Sequence, residues 1–482
     1  MTPAEYLRLD AWAMAEAVRG GAVGAVALAE AALARIAATD ARVNAFTSVL
    51  RERALRRAAQ VDAARTGAGG ARARELPLLG VPFAIKNLFD IAGLPTLAGS
   101  KIERSAAPAR ADGLLVRRLE QAGAVLVGAL NMDEYAYGFT TENSHAGPCR
   151  NPHDLTCIAG GSSGGSGAAV AAGQVPLALG SDTNGSIRVP ASLNGVYGLK
   201  PTFGRLPRTG TYPFVASLDH LGPFARSVRD LALSYDAMQG AETQVPRDPG
   251  CAQRAVEAVT PLLARGANGL RIGVLGGWFR RWAQPEALAA VDTVASALGA
   301  RRMVELPLVE AGRAAAFLVT NAEGAALHLP DLRRRPQDFD PLARDRFLAG
   351  ALLPAAWVLR AQRVRQRYAE EAARIFARFD VLLAPATPCA ATPIGTEFLE
   401  LDGQRLPLRA NMGLLTQPIS CIGLPVAAVP VWRAHASLPI GVQVIAAPWR
   451  EDLALRVAAE LERAGVTRAP VAELDAEDGA NP

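Results

Sequence analysis

The sequence predicts an α/β fold built on one main sheet, and three observations support this prediction. The chain has 482 residues, which is enough for two or three domains or for one large α/β unit. Hydrophobic residues make up 50% and charged residues 20%, a composition that excludes a disordered, collagen-like or coiled-coil chain. From Leu78 onward, short apolar runs alternate with helical segments, which favours strands that lie in a sheet covered by helices.

The elements follow this pattern in order along the chain. Residues 1–68 are rich in alanine at helical spacing and predict an N-terminal helical layer of the same domain. Residues 69–470 are expected to form the main domain, with strands at LLGVPFAI, AVLVGAL, VPLALGSD, LRIGVLG, VLLAPATP, LPVAAVPV and LPIGVQVIA. The polar, proline-containing stretch 240–269 predicts either a linker or an excursion from the sheet. Residues 471–482 are expected to form a C-terminal tail.

Charge, cysteine content and hydropathy exclude several classes of function. The net charge is +5, but basic residues are interleaved with acidic ones along amphipathic helices, so we expect no nucleic-acid partner. The five cysteines form no CxxC pair, which argues against a metal or redox site and favours a reduced, cytoplasmic setting. No apolar run reaches the roughly 18 residues of a membrane-spanning helix, and the first residues lack the features of a secretory leader. We therefore expect no membrane association and no cofactor.

A glycine-rich segment at residues 159–167, AGGSSGGSG, is the densest chemical pattern in the chain. Glycine permits positive φ angles and close backbone approach, and the small residues that follow can open a helix whose N–H groups face a pocket. A phosphate-binding or tightly packed loop is the alternative interpretation. No Gly-Lys-Ser/Thr sequence follows, however, and the glycine spacing does not match a dinucleotide-binding motif.

A second segment, GSDTNGSIRVP at residues 180–190, begins at the end of a predicted strand. Four backbone N–H groups in it could converge on one oxyanion, because Asn and Gly tolerate the dihedral angles that such a turn needs. These groups belong to Thr183, Asn184, Gly185 and Ser186. Taken alone, DTNGS is also a common turn.

Lysine is rare in this chain, since only Lys86, Lys101 and Lys200 occur among 51 basic residues. Lys86 ends the apolar run VPFAIK, where an unpaired ammonium would be costly. It is expected either to find a partner or to have a lowered pKa. Lowering the pKa from about 10.4 to between 7 and 8 requires about 3 to 5 kcal/mol, which burial can supply. The alternative is a lysine that extends from the strand end to solvent.

Together these three segments resemble the amidase signature family, in which Ile85-Lys86, GGSSGGS and DTNGSIRVP occur in the same order at similar spacing. The segments NMDEYAYGFTTENS, GPCRNP, GLKPT and VLLAPATP add to the resemblance, which covers most of residues 25–465. It implies the amidase signature fold, a large mixed and twisted β-sheet covered by α-helices on both faces. It also implies an amidase, a hydrolase of carbon–nitrogen bonds other than peptide bonds.

The resemblance assigns the catalytic roles residue by residue. It makes Ser186 the nucleophile, Ser162 the bridging serine preceded by a cis peptide bond, and Lys86 the general base. Neutral Lys86 would take a proton from Ser186 through Ser162, and Ser186 would attack an amide carbonyl. Water would then hydrolyse the acyl-enzyme.

The resemblance also covers the surroundings of these residues. The four N–H groups of residues 183–186 would hold the oxyanion, and Asp182 and Arg188 would pair behind the turn. At Asn184 the chain departs from the family, most of which has glycine.

The glycine-rich segment contains a competing motif, GxSxG at residues 160–164, which matches the nucleophile elbow of α/β hydrolases. That mechanism requires an acid and a histidine further along the chain. The available histidines are His220, His328 and His435. This alternative leaves Lys86 and Ser186 without a role. Another alternative is a non-catalytic binding subunit of the same fold. The presence of Lys86, Ser162 and Ser186 argues against it.

The substrate is indicated by a finer resemblance. TENSHAGPCRNPHD and LLTQPISCIGLP resemble the subgroup of 1-carboxybiuret hydrolases and relatives that act on ureido acids, which implies release of ammonia from a small amide. The alternatives are a glutamine-hydrolysing subunit of an aminoacyl-tRNA amidotransferase and an aryl or aliphatic amidase. The candidate substrate-binding residues are Tyr135, His145, Gly161 and Arg188.

The resembled enzymes also imply a partner, because they work with a short accessory chain. The N-terminal region and residues 309–378 are predicted to carry apolar helical faces that a small helical subunit or a second copy of the chain could cover. The alternative is that these faces pack within the same chain.

Overall fold

A computed structural model of the chain describes residues 1–67, 70–243 and 247–474. The predicted boundary at residues 68 and 69, Pro246 of the polar stretch, and residues 475–482 of the predicted tail lie outside the described residues. The helices are α1 (Pro3–Arg8), α2 (Ala11–Arg19), α3 (Ala25–Val43), α4 (Arg51–Thr66), α5 (Gly70–Arg74), α6 (Leu114–Gln121), α7 (Gly164–Ala171), α8 (Arg188–Asn194), α9 (Val228–Met238), α10 (Trp278–Arg281), α11 (Pro285–Ala297), α12 (Val309–Arg334), α13 (Pro341–Ala351), α14 (Ala355–Phe376), α15 (Leu408–Asn411), α16 (Gln417–Cys421) and α17 (Glu451–Arg463).

The strands of the described residues form one large sheet and three two-stranded ribbons. They are β1 (Phe46–Val49), β2 (Pro82–Lys86), β3 (Val125–Leu130), β4 (Glu142–Asn143), β5 (Gly147–Pro148), β6 (Arg150–Asn151), β7 (Asp154–Ile158), β8 (Leu177–Asp182), β9 (Tyr197–Lys200), β10 (His220–Ala225), β11 (Ile272–Leu275), β12 (Arg302–Val304), β13 (Val381–Pro385), β14 (Phe398–Leu401), β15 (Gln404–Pro407), β16 (Val426–Val431) and β17 (Ile440–Ala446).

The large sheet is mixed, with the order β1-β3-β2-β8-β10-β9-β16-β17-β13-β11-β12. Its parallel pairs lie in two groups, β2 with β3 and β8, and β11 with β13 and β12, while the pairs between and beside them are antiparallel. Helices cover both faces of the sheet. The predicted mixed α/β fold is confirmed, and each of the seven predicted apolar runs contains a strand of this sheet.

The central strands are apolar on both faces because helices pack on both. Every residue of β2, β3, β8 and β16 is buried. Helix α7 packs against β2, β3, β8 and β10, and α17 packs against β16 and β17. The sheet is therefore a rigid support for the loops at its strand ends.

The N-terminal region contributes more than helices. Strand β1 lies between α3 and α4 and pairs antiparallel with β3 at the edge of the main sheet. Its four residues are too few to show a strand pattern amid alanine-rich helices, so the sequence indicated only helices there. Within the described residues, no helix is both long and apolar enough to cross a membrane.

Candidate active site

Lys86 ends β2, and its side chain is fully buried. Its Nζ lies 2.7 Å from Ser162 Oγ and 2.9 Å from Ser181 Oγ, within hydrogen-bond distance of both. Ser181 lies near the end of β8, the parallel neighbour of β2, and Ile85 is in register with Leu179. The carboxyl ends of the two strands thus meet at one edge of the sheet and bring the amine and the hydroxyl together.

Burial lowers the pKa of Lys86 to about 7, because the ammonium loses its hydration inside the protein. The carboxylates of Asp133, Asp219 and Asp182 oppose this shift from a distance. Among the described residues, none of them approaches Nζ closely enough to form an ion pair. Lys86 can therefore be a neutral amine near neutral pH, with a lone pair available to accept a proton.

Ser162 lies in the glycine-rich loop between β7 and α7, and the peptide bond from Gly161 to Ser162 is cis. The loop is packed so closely that side chains would not fit at its glycines. A Cβ atom on Gly161 would lie 2.1 Å from Asp133 Oδ2, and one on Gly164 would lie 2.4 Å from Thr141 Oγ1. This packing holds the fully buried Ser162 beside Lys86.

The turn after β8 carries Ser186 and the candidate oxyanion donors. Within the described residues, no protein acceptor takes a hydrogen bond from the backbone N–H groups of residues 183–186. Gly185 has a φ of +144°, and a Cβ atom there would lie 2.0 Å from Thr416 Oγ1, so only glycine fits. Buried N–H groups without a partner are uncommon in proteins, and here they are available to a substrate oxygen.

Asn184 fits this turn although most of the resembled family has glycine there. Asn184 is not among the described residues that have a positive φ angle, so its backbone conformation does not require glycine. Its Nδ2 donates a hydrogen bond to Thr320 Oγ1 at 2.8 Å, and its carbonyl oxygen accepts one from Thr416 Oγ1 at 2.8 Å. The side chain therefore connects the turn to helix α12.

Asp182 and Arg188 form a fully buried ion pair behind the turn. Arg188 Nε and Nη2 donate to the two carboxylate oxygens, each at 2.9 Å, and the backbone N–H of Ile187 donates to the same carboxylate at 3.2 Å. Burial alone would raise the pKa of Asp182, but the guanidinium of Arg188 holds it well below its ordinary value. Arg188 Nη1 donates to Gln443 Oε1 at 2.7 Å, so its donors point into this network.

A narrow cavity opens beside Ser186. Thr183, Asn184 and Ser186 form one side of it. The cavity is also lined by residues from segments distant in the sequence: Tyr137, Phe139, Phe214, Phe317, Thr320, Arg346 and Gln417. The nucleophile candidate therefore faces a small cavity that both aromatic and polar side chains line.

Arg346 supplies positive charge to this cavity. Its guanidinium stacks 3.7 Å from the ring centroid of Tyr137, and Nη1 donates to the Tyr137 carbonyl oxygen at 3.3 Å. No carboxylate among the described residues forms an ion pair with it. Burial lowers the pKa of this guanidinium, which remains charged because the ordinary pKa of arginine is so high. The cavity thus contains a cation that an anionic substrate group could neutralise.

The other substrate-contact candidates lie elsewhere. Tyr135 is buried, and its hydroxyl donates to Glu103 Oε1 at 2.9 Å. His145 Nε2 lies 2.9 Å from the buried Glu134 carboxylate. Within the described part of the chain, neither side chain lines the cavity at Ser186. Contact of Tyr135, His145, Gly161 or Arg188 with substrate stays a prediction.

An α/β-hydrolase mechanism would need a histidine beside the nucleophile. His220 is buried with Nδ1 3.0 Å from a main-chain oxygen, His328 is buried among aromatic rings, and His435 is exposed. In the described residues no histidine forms a hydrogen bond with Ser162 or Ser186. Those residues also contain no cluster of three His, Cys, Asp or Glu side chains that could hold a metal ion.

Several residues of this site were not predicted from the sequence, among them Ser181, Thr320 and Arg346. Ser181 had a usable signal, because it ends a predicted strand next to the one that carries Lys86. Thr320 and Arg346 had none, since they lie on α12 and α13, far along the chain from the motifs. Only the packing of these two helices over the turn brings them to the cavity.

The chain matches known proteins over nearly its whole length. A model of the Amidase family matches residues 27–455. AtzE of Pseudomonas sp. (strain ADP), which forms part of a 1-carboxybiuret hydrolase, is 59% identical over 455 residues, which are 94% of this chain and 98% of that protein. A component of the glutamyl-tRNA(Gln) amidotransferase of Anaeromyxobacter dehalogenans is 39% identical over 494 residues, covering 96% of this chain and 97% of its own length.

A solved structure is similar to this chain in both fold and sequence. It belongs to a study of a vestigial protein complex and the evolutionary origins of an s-triazine catabolic enzyme. It superposes with a TM-score of 0.93 at 58% sequence identity, covering 96% of this chain and all of that one.

Proposed function

The chain belongs to the amidase signature family and is an amidohydrolase of carbon–nitrogen bonds, and on this premise we propose that it releases ammonia from a small carboxylated ureide through Ser186, Ser162 and Lys86. 1-Carboxybiuret, for which the Pseudomonas relative is named, is the representative substrate. The observation that carries the proposal is the buried Lys86, whose Nζ lies within hydrogen-bond distance of two serine hydroxyls and whose pKa burial lowers to about 7.

In the acylation step, neutral Lys86 accepts the hydroxyl proton of Ser162 while Ser162 takes the proton of Ser186. Ser186 Oγ bonds to the carbonyl carbon of the terminal amide, and the carbonyl oxygen becomes an anion. The free N–H groups of residues 183–186 stabilise this oxyanion. The proton then returns through Ser162 to the leaving nitrogen, the C–N bond breaks and ammonia departs.

In the deacylation step, water attacks the same carbonyl carbon of the acyl-enzyme. Its proton passes to Lys86, the C–O bond to Ser186 breaks, and Ser186 recovers its proton through Ser162. The sum is one water consumed, one ammonia released and one new carboxyl group. No oxidant, metal or cofactor enters this balance.

Arg346 supports the assignment of a carboxylated substrate. It adds an unpaired positive charge to a cavity that contains Ser186, and a substrate carboxylate would neutralise it. A guanidinium binds a carboxylate through two parallel hydrogen bonds, which also fixes the orientation of the substrate. We propose that this contact positions the amide at the opposite end of the molecule beside Ser186.

Covalent labelling distinguishes the proposed roles of Ser186 and Ser162. In Ser186→Ala, both turnover and labelling by a fluorophosphonate should disappear, whereas Ser162→Ala should retain the nucleophile and be labelled more slowly. Hydroxylamine added to the wild-type enzyme should divert the acyl-enzyme to a hydroxamate. A label on Ser162, identified by peptide mass spectrometry, would overturn the assignment.

The substrate is tested by ammonia release from 1-carboxybiuret, biuret, oxalurate, glutamine and simple aliphatic amides. We expect the highest kcat/KM for the carboxylated ureide, and Arg346→Met should raise its KM far more than that of uncharged biuret. Preferential hydrolysis of glutamine would instead favour the amidotransferase function. Equal turnover of biuret and 1-carboxybiuret would contradict a role for the carboxylate.

We also propose that the chain works with a small helical subunit, and that it self-associates. The solved relative belongs to a protein complex. On this chain, Trp357 of α14 is 52% exposed and lines an apolar groove between α12 and α14, and Leu359 of the same helix is 63% exposed. The chain expressed alone and the chain co-expressed with the candidate small chain should differ in both mass in solution and specific activity. A fully active monomer that is unchanged by that chain would refute this part of the proposal.

A further inference from the structure

The side chain of Asn184 contains a hydrogen-bond acceptor that the protein leaves unused. The residue is 8% exposed, and its Nδ2 is engaged by Thr320. Among the described residues, Asn184 Oδ1 has no hydrogen-bond partner. Burying an amide oxygen without a partner costs free energy, so such an atom at the wall of a cavity points to a ligand.

This acceptor lies where the acyl part of a substrate would bind. Asn184 precedes Ser186 by two residues in the same turn, and both line the cavity. Its amide reaches Thr320 on α12, which packs directly against α13, the helix that carries Arg346. A molecule whose amide lies at Ser186 and whose carboxylate lies at Arg346 would occupy the cavity that Asn184 also lines.

We propose that Asn184 Oδ1 accepts a hydrogen bond from the substrate N–H that adjoins the scissile carbonyl on its acyl side. This inference rests on the proposed function and names the residue that would select ureides, which carry this N–H, over carboxylated amides, which carry a methylene there. Asn184 is then a specificity-determining residue.

The chemistry of the contact explains the expected selectivity. An N–H placed against Oδ1 satisfies both buried groups. A methylene in the same place leaves Oδ1 desolvated and unpaired, and sites of this kind reject the analogue that lacks the donor. We expect a difference on the order of tenfold, the effect of one buried hydrogen bond.

The test uses two compounds that differ only at this atom. N-Carbamoylglycine has an N–H next to its terminal amide carbonyl, and succinamate has a methylene there, while both retain the carboxylate. Their dissociation constants are measured by calorimetry on Ser186→Ala, so that turnover does not interfere. The double variant Ser186→Ala/Asn184→Ala removes the acceptor. The matched control Ser186→Ala/Thr416→Val removes the hydroxyl that binds the Asn184 carbonyl oxygen and keeps the Asn184 amide.

N-Carbamoylglycine should bind about tenfold more tightly than succinamate to Ser186→Ala and to the Thr416→Val control. The ratio should fall to about one when Asn184 is replaced by alanine. A ratio near one in Ser186→Ala, absence of binding by both compounds, or an unchanged ratio in the Asn184→Ala variant would overturn the inference. Failure of the proposed function is seen separately, as absence of ammonia release from 1-carboxybiuret by the wild-type enzyme.

Discussion

Lys86 and Lys200 are both fully buried lysines at strand ends, yet their surroundings equip them for different tasks. Burial lowers the pKa of each. Lys86 Nζ faces the hydroxyls of Ser162 and Ser181, whereas Lys200 Nζ donates to the carbonyl oxygen of Pro201 at 3.0 Å. A hydroxyl can give up a proton to an amine, and a carbonyl oxygen has none to give. Burial therefore favours the neutral form of both amines, while the hydrogen-bond partners decide whether an amine can act as a base.

The charged groups around the two lysines also differ, because only Lys200 has an arginine among the groups that shift its pKa. Besides burial, Arg188 lowers the pKa of Lys200, and the nearby Asp182 and Glu451 oppose that shift. Lys200 is therefore close enough to the Asp182–Arg188 ion pair, behind the candidate oxyanion turn, to feel its charges. We interpret its task as structural, and the predictions below test this division between the two lysines.

The largest effect is expected at Lys86 itself. Lys86→Arg retains the charge but cannot act as a base near neutral pH, so kcat/KM should fall by about a thousandfold or more, as far as in Lys86→Ala. Steady-state ammonia release and circular dichroism of each variant provide the measurement and the folding control. Near-native turnover in Lys86→Arg would remove the general-base assignment.

A smaller loss is expected at Ser181, the second hydroxyl beside Lys86. Ser181→Ala removes an acceptor that favours the charged amine and orients it, so kcat/KM should fall by roughly tenfold. Because the ammonium loses a partner, the pKa of Lys86 should fall further, and the acidic limb of the activity profile should move to lower pH. A tenfold loss with an unmoved pH profile would indicate that Ser181 only supports the fold.

The pH profile of the wild-type enzyme tests the neutral amine directly. The base is the unprotonated form, so kcat/KM should rise as pH increases through about 7 and level off above it. Below that value the activity should fall about tenfold per pH unit, because protonated Lys86 cannot accept a proton. A profile that is flat from pH 5 to 8 would contradict the lowered pKa of Lys86.

The smallest effect is expected at Lys200. Lys200→Met keeps the length of the side chain and removes the buried amine, so kcat/KM should change by less than about tenfold, and the melting temperature should stay the same or rise. Thermal unfolding and ammonia release measure both quantities on one preparation. A loss as large as that of Lys86→Ala would show that the two lysines share a function.

Much of the active site could be anticipated because its motifs are local. The turn at residues 183–186 and the glycine-rich loop around Ser162 need particular backbone conformations, and these restrict the residue types at neighbouring positions. Gly185 illustrates this, since its φ of +144° is a backbone conformation that favours glycine. A pattern fixed by neighbours in the chain remains readable without the tertiary structure.

The sequence by itself predicted the fold class, because apolar periodicity acts over short stretches of chain, and its motifs resemble those of the amidase family, a resemblance that implies the candidate set Lys86, Ser162 and Ser186. The tertiary structure decided how deeply Lys86 is buried, that Ser181 is its second partner, and that Arg346 shares a cavity with Ser186. These features depend on the register of parallel strands and on helices that are distant in the chain. Desolvation and charge act through space, and so the pKa of Lys86 and the charge of the cavity emerge only when the chain is folded.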